Sequence, residues 1–401
     1  MPGQTGETLR LMIVAGEASG DAHAAALVRA LRARAPNARL EFFGATGREL
    51  RAADVETVVE IDQLAIVGLL EIGRALPRFW RAFKQLKAAA LTRQPAAVIL
   101  VDWPDFNFRL ARALHRRGLK VIYYISPQLW AWRAHRVRQV ARDVDLLLAI
   151  LPFEPEWYAR RGVRHVEFVG HPLAGAVTPR FDRTEFCRRH RLDATRPIIA
   201  LLPGSRHKEL TRILPPMLDA AVIIARARPD VQFVVALAPT RAPAEAAPLI
   251  KAATDAHDAT FADSLRVVEH ETREVLAAAD AAAVASGTAT LETALVGTPL
   301  VVGYKESALN WHTLGRLIST EHFGLINLIA GERLAPELMQ NDLTGARLAA
   351  ELLCLLDQET NQTMCARLRA ATARLGAGGA SLRAADAVLR ALRDWGVKSF
   401  S

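Results

Sequence analysis

The sequence predicts an α/β fold of two doubly wound domains, each built on a parallel sheet. Short apolar runs bounded by glycine and proline alternate with helical patterns in the first half of the 401-residue chain. The same alternation starts again after a polar stretch near residues 178–196. Continuously apolar runs of this length are typical of strands that helices cover on both faces. At roughly 150 residues per domain, the chain length also suits two domains.

The first series of elements occupies residues 1–178, which we assign to an N-terminal domain. Helical patterns such as AHAAALVRALRARA and FRLARALHRRG separate its segments. This alternation predicts βα units, because consecutive parallel strands need a crossover connection. The predicted strands are LRLMIVAGE, ARLEFFG, PAAVILVD, LKVIYYIS, DLLLAILP and HVEFVG.

A second series fills residues 179–345, which we assign to a C-terminal domain. Its predicted strands are PIIALLPGS, VQFVVALAP, LRVVEH, DAAAVASG and TPLVVGY. Residues 346–401 are predicted helices, and we expect the last of them to pack on the N-terminal domain. Ligands of open α/β sheets bind at the carboxyl ends of the strands, so we expect the two domains to face a central cleft.

Composition narrows the class of protein. Hydrophobic residues make up 51% of the chain and charged residues 23%, which is the profile of a globular protein and excludes a disordered one. Three cysteines without C-x-x-C spacing exclude a disulfide scaffold and predict a reducing compartment, the cytoplasm. We find no signal peptide and no run of about 20 apolar residues that would span a bilayer. The net charge of +9 favours an anionic partner: nucleic acid, an anionic membrane or a phosphorylated substrate.

Two motifs follow strands of the first domain. Gly16–Asp21 opens a helix, where free N–H groups favour an anion, but it lacks the G-x-G-x-x-G pattern. The alternative is a βα turn with Ser19 or Asp21 as helix N-cap, which we favour for Asp21, and for Glu17 a functional and a structural role stay open. Asp102 ends the strand AVILVD, where a general base would lie, whereas a capping role suits Asp105 better.

Tryptophans and a D-x-D pattern have competing interpretations. Trp130 and Trp132, in SPQLWAWR, suit either a sugar-binding wall or the core. Asp143 and Asp145 resemble a metal-binding D-x-D but precede a buried strand directly, which favours a structural role. The histidines show no metal-binding spacing, so the sequence predicts no metal site.

Two loops of the second domain have residues suited to binding the diphosphate of a nucleotide. Arg206 follows a Gly-Ser turn that contains Ser205, and its guanidinium can fork onto phosphate oxygens. The segment ASGTATLE opens another predicted helix, where small residues allow close backbone approach and Glu292 can accept from ribose hydroxyls. A capping box is the alternative for this second loop. Its candidate ligands are Ser286, Gly287, Thr288 and Glu292.

Residues 64–87 form an amphipathic candidate helix with an apolar face and a basic face. Such a helix suits an anionic membrane surface, and the alternative is a helix packed on its own sheet. The candidate membrane contacts are Arg78, Trp80, Arg81, Phe83, Lys84 and Lys87.

Taken together, the motifs resemble one family, bacterial lipid-A-disaccharide synthase. The strings that carry this resemblance are VAGEASGD, LAIVGLLEI, VDWPDFN, SPQLWAWR, LPFEPEWY, FVGHPL, LLPGSR, ASGTATLE and VVGYK, in order over about three quarters of the chain. The resemblance implies a GT-B fold and an inverting, metal-independent glycosyltransferase without cofactors. The implied substrates are UDP-2,3-diacylglucosamine and 2,3-diacylglucosamine 1-phosphate, which give a β-1′,6-linked disaccharide and UDP.

The resemblance also implies residue roles. Asp102 is the candidate base, with Glu17 as the second catalytic candidate. Glu17 and Ser19 lie on the acceptor side, where we also place Trp130 and Trp132. The implied UDP-sugar ligands are Ser205, Arg206, Ser286, Gly287, Thr288, Glu292 and Asn327. Ile326 stands where the family usually has proline before this asparagine.

The implied location is the inner face of the cytoplasmic membrane, held peripherally, with no nucleic-acid partner. The sequence leaves a homodimer open. Three other interpretations remain: another UDP-sugar enzyme such as an epimerase, an NAD-type oxidoreductase, and a non-enzymatic nucleotide or lipid binder. The G-x-G-x-x-G motif expected of an NAD-type oxidoreductase is absent from this sequence.

Overall fold

A computed structural model describes residues 8–61, 72–255, 259–306 and 322–397. The side chains of residues 72–76, 259 and 260 lie outside the description. The chain divides into two compact units: unit 1 comprises residues 1–172 and 377–401, and unit 2 comprises residues 173–376. The sequence-based boundary after residue 178 therefore lies six residues beyond the observed one.

Unit 1 is built on a seven-stranded parallel sheet with the order β3-β2-β1-β4-β5-β6-β7. Its central strands carry unbroken apolar runs and are buried along their length, as a sheet covered on both faces requires. The strands are β1 (Leu9–Val14), β2 (Leu40–Thr46), β3 (Glu56–Glu60), β4 (Ala97–Val101), β5 (Val121–Tyr124), β6 (Leu146–Ala149) and β7 (Val166–Phe168).

Helices cover both faces of this sheet. Those of residues 1–172 are α1 (Ala18–Arg34), α2 (Arg48–Ala52), α3 (Ile72–Arg93), α4 (Pro104–His115), α5 (Leu129–Trp132), α6 (Val137–Asp143) and α7 (Glu154–Ala159). The last helix of the chain, α17 (Ala380–Asp394), also belongs to unit 1. Its residues Ala384, Val388 and Leu392 are buried in one core cluster with Leu27 and Leu31 of α1.

Unit 2 contains a six-stranded parallel sheet with the order β10-β9-β8-β11-β12-β13. Its strands are β8 (Ile198–Leu202), β9 (Gln232–Leu237), β10 (Leu265–Glu269), β11 (Ala281–Ala285), β12 (Leu300–Tyr304) and β13 (Glu337–Met339). Its helices are α8 (Arg183–His190), α9 (His207–Ala227), α10 (Pro243–Asp255), α11 (Ala259–Ser264), α12 (Thr272–Ala278), α13 (Thr288–Val296), α14 (Leu325–Ala330), α15 (Gly345–Leu355) and α16 (Gln358–Ala373).

Both sheets reverse strand order at one point, between β1 and β4 in unit 1 and between β8 and β11 in unit 2. Helices leave the sheet in opposite directions there, so a crevice opens at the carboxyl ends of the two strands. The predicted fold class, two Rossmann-like units with C-terminal helices, is confirmed. The loops that follow β1, β4, β8 and β11 carry most of the candidate site residues.

Candidate functional site

Asp102 lies at the carboxyl end of β4 in an unusual backbone conformation. Asp102 and Trp103 both have positive φ, 50° and 52°, a region that non-glycine residues seldom adopt and that costs conformational energy. Two side chains hold the bend, because the Tyr123 hydroxyl and the Asn107 amide donate to the Asp102 carbonyl at 2.6 and 2.7 Å. These two bonds therefore hold the backbone of Asp102 in this bend.

The motif after β1 packs against this bend. A Cβ added at Gly20 would lie 4.0 Å from the Cβ of Asp102, and one at Gly16 would lie 2.0 Å from the Trp103 ring. A side chain at position 16 would therefore displace Trp103. Burial raises the pKa of Asp102, and the nearby charge of Glu17 raises it further, while a backbone hydrogen bond opposes both. The structure thus brings Glu17 and Asp102 together, with Glu17 exposed and Asp102 half-buried.

The capping role expected in Gly16–Asp21 differs from the observed one. Glu17 occupies the N-cap position of α1 without a side-chain capping bond. The buried Asp21 carboxylate instead accepts from the backbone N–H groups of Gly47 and Glu49, both at 2.7 Å, at the start of α2. Asp21 thus caps a neighbouring helix. Ser19 is exposed in the first turn of α1.

The two tryptophans of SPQLWAWR have different environments. Trp130 is buried and its indole N–H donates to the Glu154 carboxylate at 3.2 Å, which favours the core alternative for this residue. Trp132 is 49% exposed, and the Arg133 guanidinium lies 3.9 Å from the centre of its ring. Of this pair, Trp132 is the one with an exposed ring.

Glu154 organises the loop beneath these tryptophans. Its fully buried carboxylate also accepts from the backbone N–H groups of Ile150 and Leu151, at 3.1 and 2.9 Å. Burial raises its pKa to about 7, although hydrogen bonds from Leu151, Trp130 and Ser126 partly oppose that rise. The sequence pattern LPFEPEWY gave no sign that this glutamate is buried.

This environment predicts a pH-dependent stability. The folded protein keeps a proton on Glu154 that the unfolded chain loses near its ordinary pKa of 4.5, so stability falls as pH rises from about 4.5 to 7. The fall attributable to this group is on the order of 3 kcal/mol. Glu154→Gln cannot ionise, so chemical denaturation at pH 5 and pH 8 should show a smaller difference in the free energy of unfolding for the variant than for the parent. An equal difference would show that Glu154 ionises normally.

Unit 2 contains a cavity of about 360 Å³ at its own switch point. The loops after β8 and β11 form it, and the end of β9 adds Ala238 and Pro239. The sequence-predicted residues that line it are Ser205, Arg206, Ser286, Gly287, Thr288 and Glu292. Two motifs some eighty residues apart in sequence therefore meet around one space.

Glu209 shapes the turn that presents Arg206. Its carboxylate accepts from the backbone N–H groups of Ser205 and Arg206, at 2.9 and 3.1 Å, and from the Arg206 guanidinium at 3.0 Å. Gly204 has φ 109°, and a Cβ there would lie 2.5 Å from the Glu209 carboxylate. The Arg206 side chain is 82% exposed, so it lies at the cavity rim and can contact a ligand.

The opposite wall is the start of α13. Gly287 and Thr288 are exposed at the first turn of α13, where backbone N–H groups without intrahelical partners attract anions. The Ser286 hydroxyl donates to the carbonyl of Phe323 at 3.0 Å, so this hydroxyl links the loop after β11 to residue 323. Glu292 lies one turn further along α13, 3.6 Å from Arg273, and also lines a second cavity beside the first.

Asn327 does not line this cavity among the described residues. It is fully buried; its amide donates to the carbonyl of Ala335 and to the Glu337 carboxylate, and its oxygen accepts from Ala335, all at 2.8 Å. Glu337 in turn accepts from the N–H groups of Phe323 and Gly324. The Asn327 side chain thus supports the segment that binds Ser286, and its assignment as a UDP-sugar ligand stays a prediction.

The described part of the amphipathic segment belongs to α3, and residues 64–71 lie outside the described residues. Ala82 and Leu86 are buried in the unit 1 core, whereas Trp80 is 58% exposed. The Trp80 ring stacks on Phe83 at 5.3 Å, with Lys84 5.5 Å from its centre. Arg78 and Arg81 are exposed and Lys87 is half-buried. One face of α3 is therefore a core element and the other is a basic surface with an outward tryptophan.

The D-x-D carboxylates have structural partners. Asp143 accepts two bonds from Arg142, and Asp145 accepts from Lys120 at 2.8 Å and from the Val121 N–H at 2.9 Å. In the described ranges, no group of three or more His, Cys, Asp or Glu side chains could hold a metal ion. No described helix is long and apolar enough to cross a membrane.

Comparisons with known proteins agree with this geometry. A family model described as lipid-A-disaccharide synthetase matches residues 11–387. The lipid-A-disaccharide synthase of Geobacter metallireducens is 42% identical over 392 residues, covering 97% of this chain and 98% of that protein. Among solved structures, the UDP complex of S. aureus MnaA superposes with a TM-score of 0.64 at 12% identity, covering 96% and 97% of the two chains. The glycotransferase of kitacinnamycin gives 0.61 at 17% identity, covering 96% and 99%.

Proposed function

Because the chain belongs to the lipid-A-disaccharide synthase family, we propose that the cavity of unit 2 binds the UDP-sugar donor and that Asp102 of unit 1 is the general base. Membership makes the chain a glycosyltransferase of lipid A biosynthesis. Family membership decides against the three other interpretations, which were an epimerase, an oxidoreductase and a non-enzymatic binder. The main support for this proposal is that the chain matches the family over residues 11–387 and has a cavity at the switch point of unit 2.

The proposed donor site uses three kinds of group. Arg206 and the N-terminus of α13 place positive charge beside the diphosphate, and Glu292 accepts from the ribose hydroxyls. The UDP complex of MnaA, a protein of similar fold, supports a uridine nucleotide here. Ser286 contributes through its backbone, because its hydroxyl binds Phe323.

The proposed reaction is a single in-line displacement. The acceptor 6-hydroxyl attacks the anomeric carbon of the donor, a new C–O bond forms, and the bond to the UDP oxygen breaks with its electron pair. Asp102 takes the hydroxyl proton, and its raised pKa makes the carboxylate a stronger base than an ordinary aspartate. Inversion at the anomeric carbon converts the α-linked donor into a β-linked product. The transition state is oxocarbenium-like, by analogy with glycosidases.

The test of this function is an assay of UDP release and disaccharide formation with purified protein. Both diacylated sugars are supplied together, and each is omitted in turn. We expect product only when UDP-2,3-diacylglucosamine and 2,3-diacylglucosamine 1-phosphate are both present. UDP release without the acceptor at the full rate would indicate hydrolysis and contradict the proposal.

We expect the activity to survive chelation. Arg206 and the α13 N-terminus supply the charge that would otherwise come from a metal ion, and the D-x-D carboxylates are bound to Arg142 and Lys120. The rate of UDP release in excess EDTA should equal the untreated rate. Loss of activity in EDTA that magnesium or manganese restores would show that a metal stabilises the leaving group.

The acyl chains of both substrates place them in a membrane, and we propose that α3 meets that membrane from the cytoplasmic side. The basic surface of α3 comprises Arg78, Arg81, Lys84 and Lys87 around Trp80. Anionic lipid attracts each such residue by about 1 kcal/mol, and salt screens the attraction. An aromatic ring beside basic residues suits the interfacial zone of a bilayer.

This proposal predicts that the protein sediments with phosphatidylglycerol vesicles at low salt, less at high salt, and poorly with neutral vesicles. Replacing the four residues of this basic surface, Arg78, Arg81, Lys84 and Lys87, by Glu should abolish sedimentation and leave UDP binding intact. The matched control replaces four exposed arginines of the α4 region by Glu: Arg109, Arg112, Arg116 and Arg117. If both variants lost sedimentation equally, net charge and not α3 would be responsible.

A further inference from the structure

A second charged group lies beside the proposed base, where the SPQLWAWR loop meets the start of α4. Arg133 and Arg136 both bind one oxygen of Asp105, with Nη1 to Oδ1 distances of 2.8 and 2.7 Å. Burial would raise the pKa of Asp105, but the two guanidiniums more than offset that effect and lower it. We refer to Asp105, Arg133 and Arg136 as the arginine pincer.

The arginine pincer carries one uncompensated positive charge, because two cations share one anion. Each guanidinium contacts Asp105 through its Nη1 atom. Because a guanidinium has five N–H donors in a planar fork, the other donors of each arginine are not used on Asp105. The Arg133 and Arg136 side chains are 30% and 21% exposed, so they are ordered by the protein and still reach the surface. A doubly charged group with several acceptor oxygens matches this arrangement better than a single carboxylate does.

The pincer and the base share one neighbourhood. The buried Tyr123 hydroxyl donates to the Asp102 carbonyl, and its pKa responds to the charges of both Asp102 and the pincer residues. Burial raises the pKa of Tyr123, the charges of Asp102 and Asp105 raise it further, and the charge of Arg136 lowers it. Asp105 also follows Asp102 by only three residues, across the bend fixed by Tyr123 and Asn107. Asp105 of the pincer therefore belongs to the same strand-to-helix turn that carries Asp102.

We propose that Arg133 and Arg136 bind the phosphate monoester of the acceptor sugar. This inference rests on the proposed function, in which the acceptor is a glucosamine 1-phosphate and Asp102 takes the proton from its 6-hydroxyl. Positions 1 and 6 lie on the same sugar, so one molecule can place its phosphate on the pincer and its hydroxyl near the base. The exposed Trp132 ring, with Arg133 against one face, adds an apolar surface beside the phosphate. Arg133 and Arg136 thus select phosphorylated acceptors.

The test compares two acceptors, one with the 1-phosphate and one without it, in the parent and in Arg136→Gln and Arg133→Gln. For the phosphorylated acceptor, we expect kcat/KM to fall about 10- to 100-fold in each variant. For the dephosphorylated acceptor, the parent should already be poor, and the variants should change it less than about 3-fold. Arg138→Gln, an exposed neighbour on α6, is the matched control and should behave as the parent does. An unchanged shift in melting temperature on UDP addition shows that a variant is folded.

The other outcomes overturn distinct claims. Equal losses for both acceptors would mean that the pincer is only a structural tie between α4 and the SPQLWAWR loop. Equal losses together with weaker sedimentation on phosphatidylglycerol vesicles would assign the pincer to lipid headgroup phosphates. A parent that does not discriminate between the acceptors would contradict the phosphate subsite, whereas a parent that makes no disaccharide from either would contradict the proposed function itself.

Discussion

Replacing Asp102 by Asn should lower kcat by about 100-fold or more, because a general base contributes about 10²- to 10⁴-fold and an amide cannot accept the proton. The variant should fold, since asparagine tolerates the positive φ of 50° and is similar in size to aspartate. Its melting temperature and its affinity for UDP should therefore match the parent values. Steady-state UDP release with both sugars measures the rate, and calorimetry measures UDP binding.

The parent enzyme gives a second readout of the same base. Because the pKa of Asp102 is raised by burial and by Glu17, the acid limb of the pH–rate profile should lie above the ordinary aspartate value and disappear in the variant. Glu17→Gln is the informative companion, as it removes the neighbouring charge and should shift that limb to lower pH. A normal rate for Asp102→Asn with a large loss for Glu17→Gln would transfer the base role to Glu17.

Arg206→Ala should weaken UDP binding and turnover together, by about 10- to 100-fold in kcat/KM. The guanidinium contacts the diphosphate in the ground state and also as charge develops on the departing UDP, so both quantities respond. This variant differs from Asp102→Asn in that it loses nucleotide affinity. The dissociation constant of UDP separates the two.

Lys208→Ala is the control for this prediction. Lys208 is an exposed cation at the start of α9, two residues after Arg206, and does not line the cavity. Its removal should leave UDP affinity unchanged. If Arg206→Ala bound UDP as tightly as the parent, the capping bond between Arg206 and Glu209 would be its main role, and the diphosphate would have to lie elsewhere.

The central strands of both sheets could be predicted from the sequence because burial on both faces demands unbroken apolar runs. The edge strands β3 and β13 could not. In β3, Val59 is the one buried residue, Val58 beside it is half-buried, and the other three residues are polar and exposed, so the strand carries no periodic signal. In β13, the strand has three residues and begins with the charged Glu337, so no apolar run marks it. The other two edge strands, β7 and β10, were predicted from HVEFVG and LRVVEH, so an edge position by itself does not hide a strand.

The sequence predicts the loop motifs at the strand ends, and it predicts both walls of the cavity in unit 2. Side-chain partners were harder to predict. Asp21 caps α2 across 26 residues, and Asn327 binds Glu337 across ten, so neither pairing follows from a local motif. Glu154 and Trp130 meet across 24 residues, which no spacing in the sequence reveals.

Hydrogen–deuterium exchange with and without UDP tests the account most directly, because it locates the nucleotide without relying on activity. The account predicts slower exchange at residues 203–209 and 286–292, the two loops that line the cavity of unit 2, and little change at residues 16–21 and 102–107. Arg206→Ala should reduce this protection at equal UDP concentration. Protection confined to residues 16–21 and 102–107 would place the nucleotide on unit 1 and contradict the assignment of both sites.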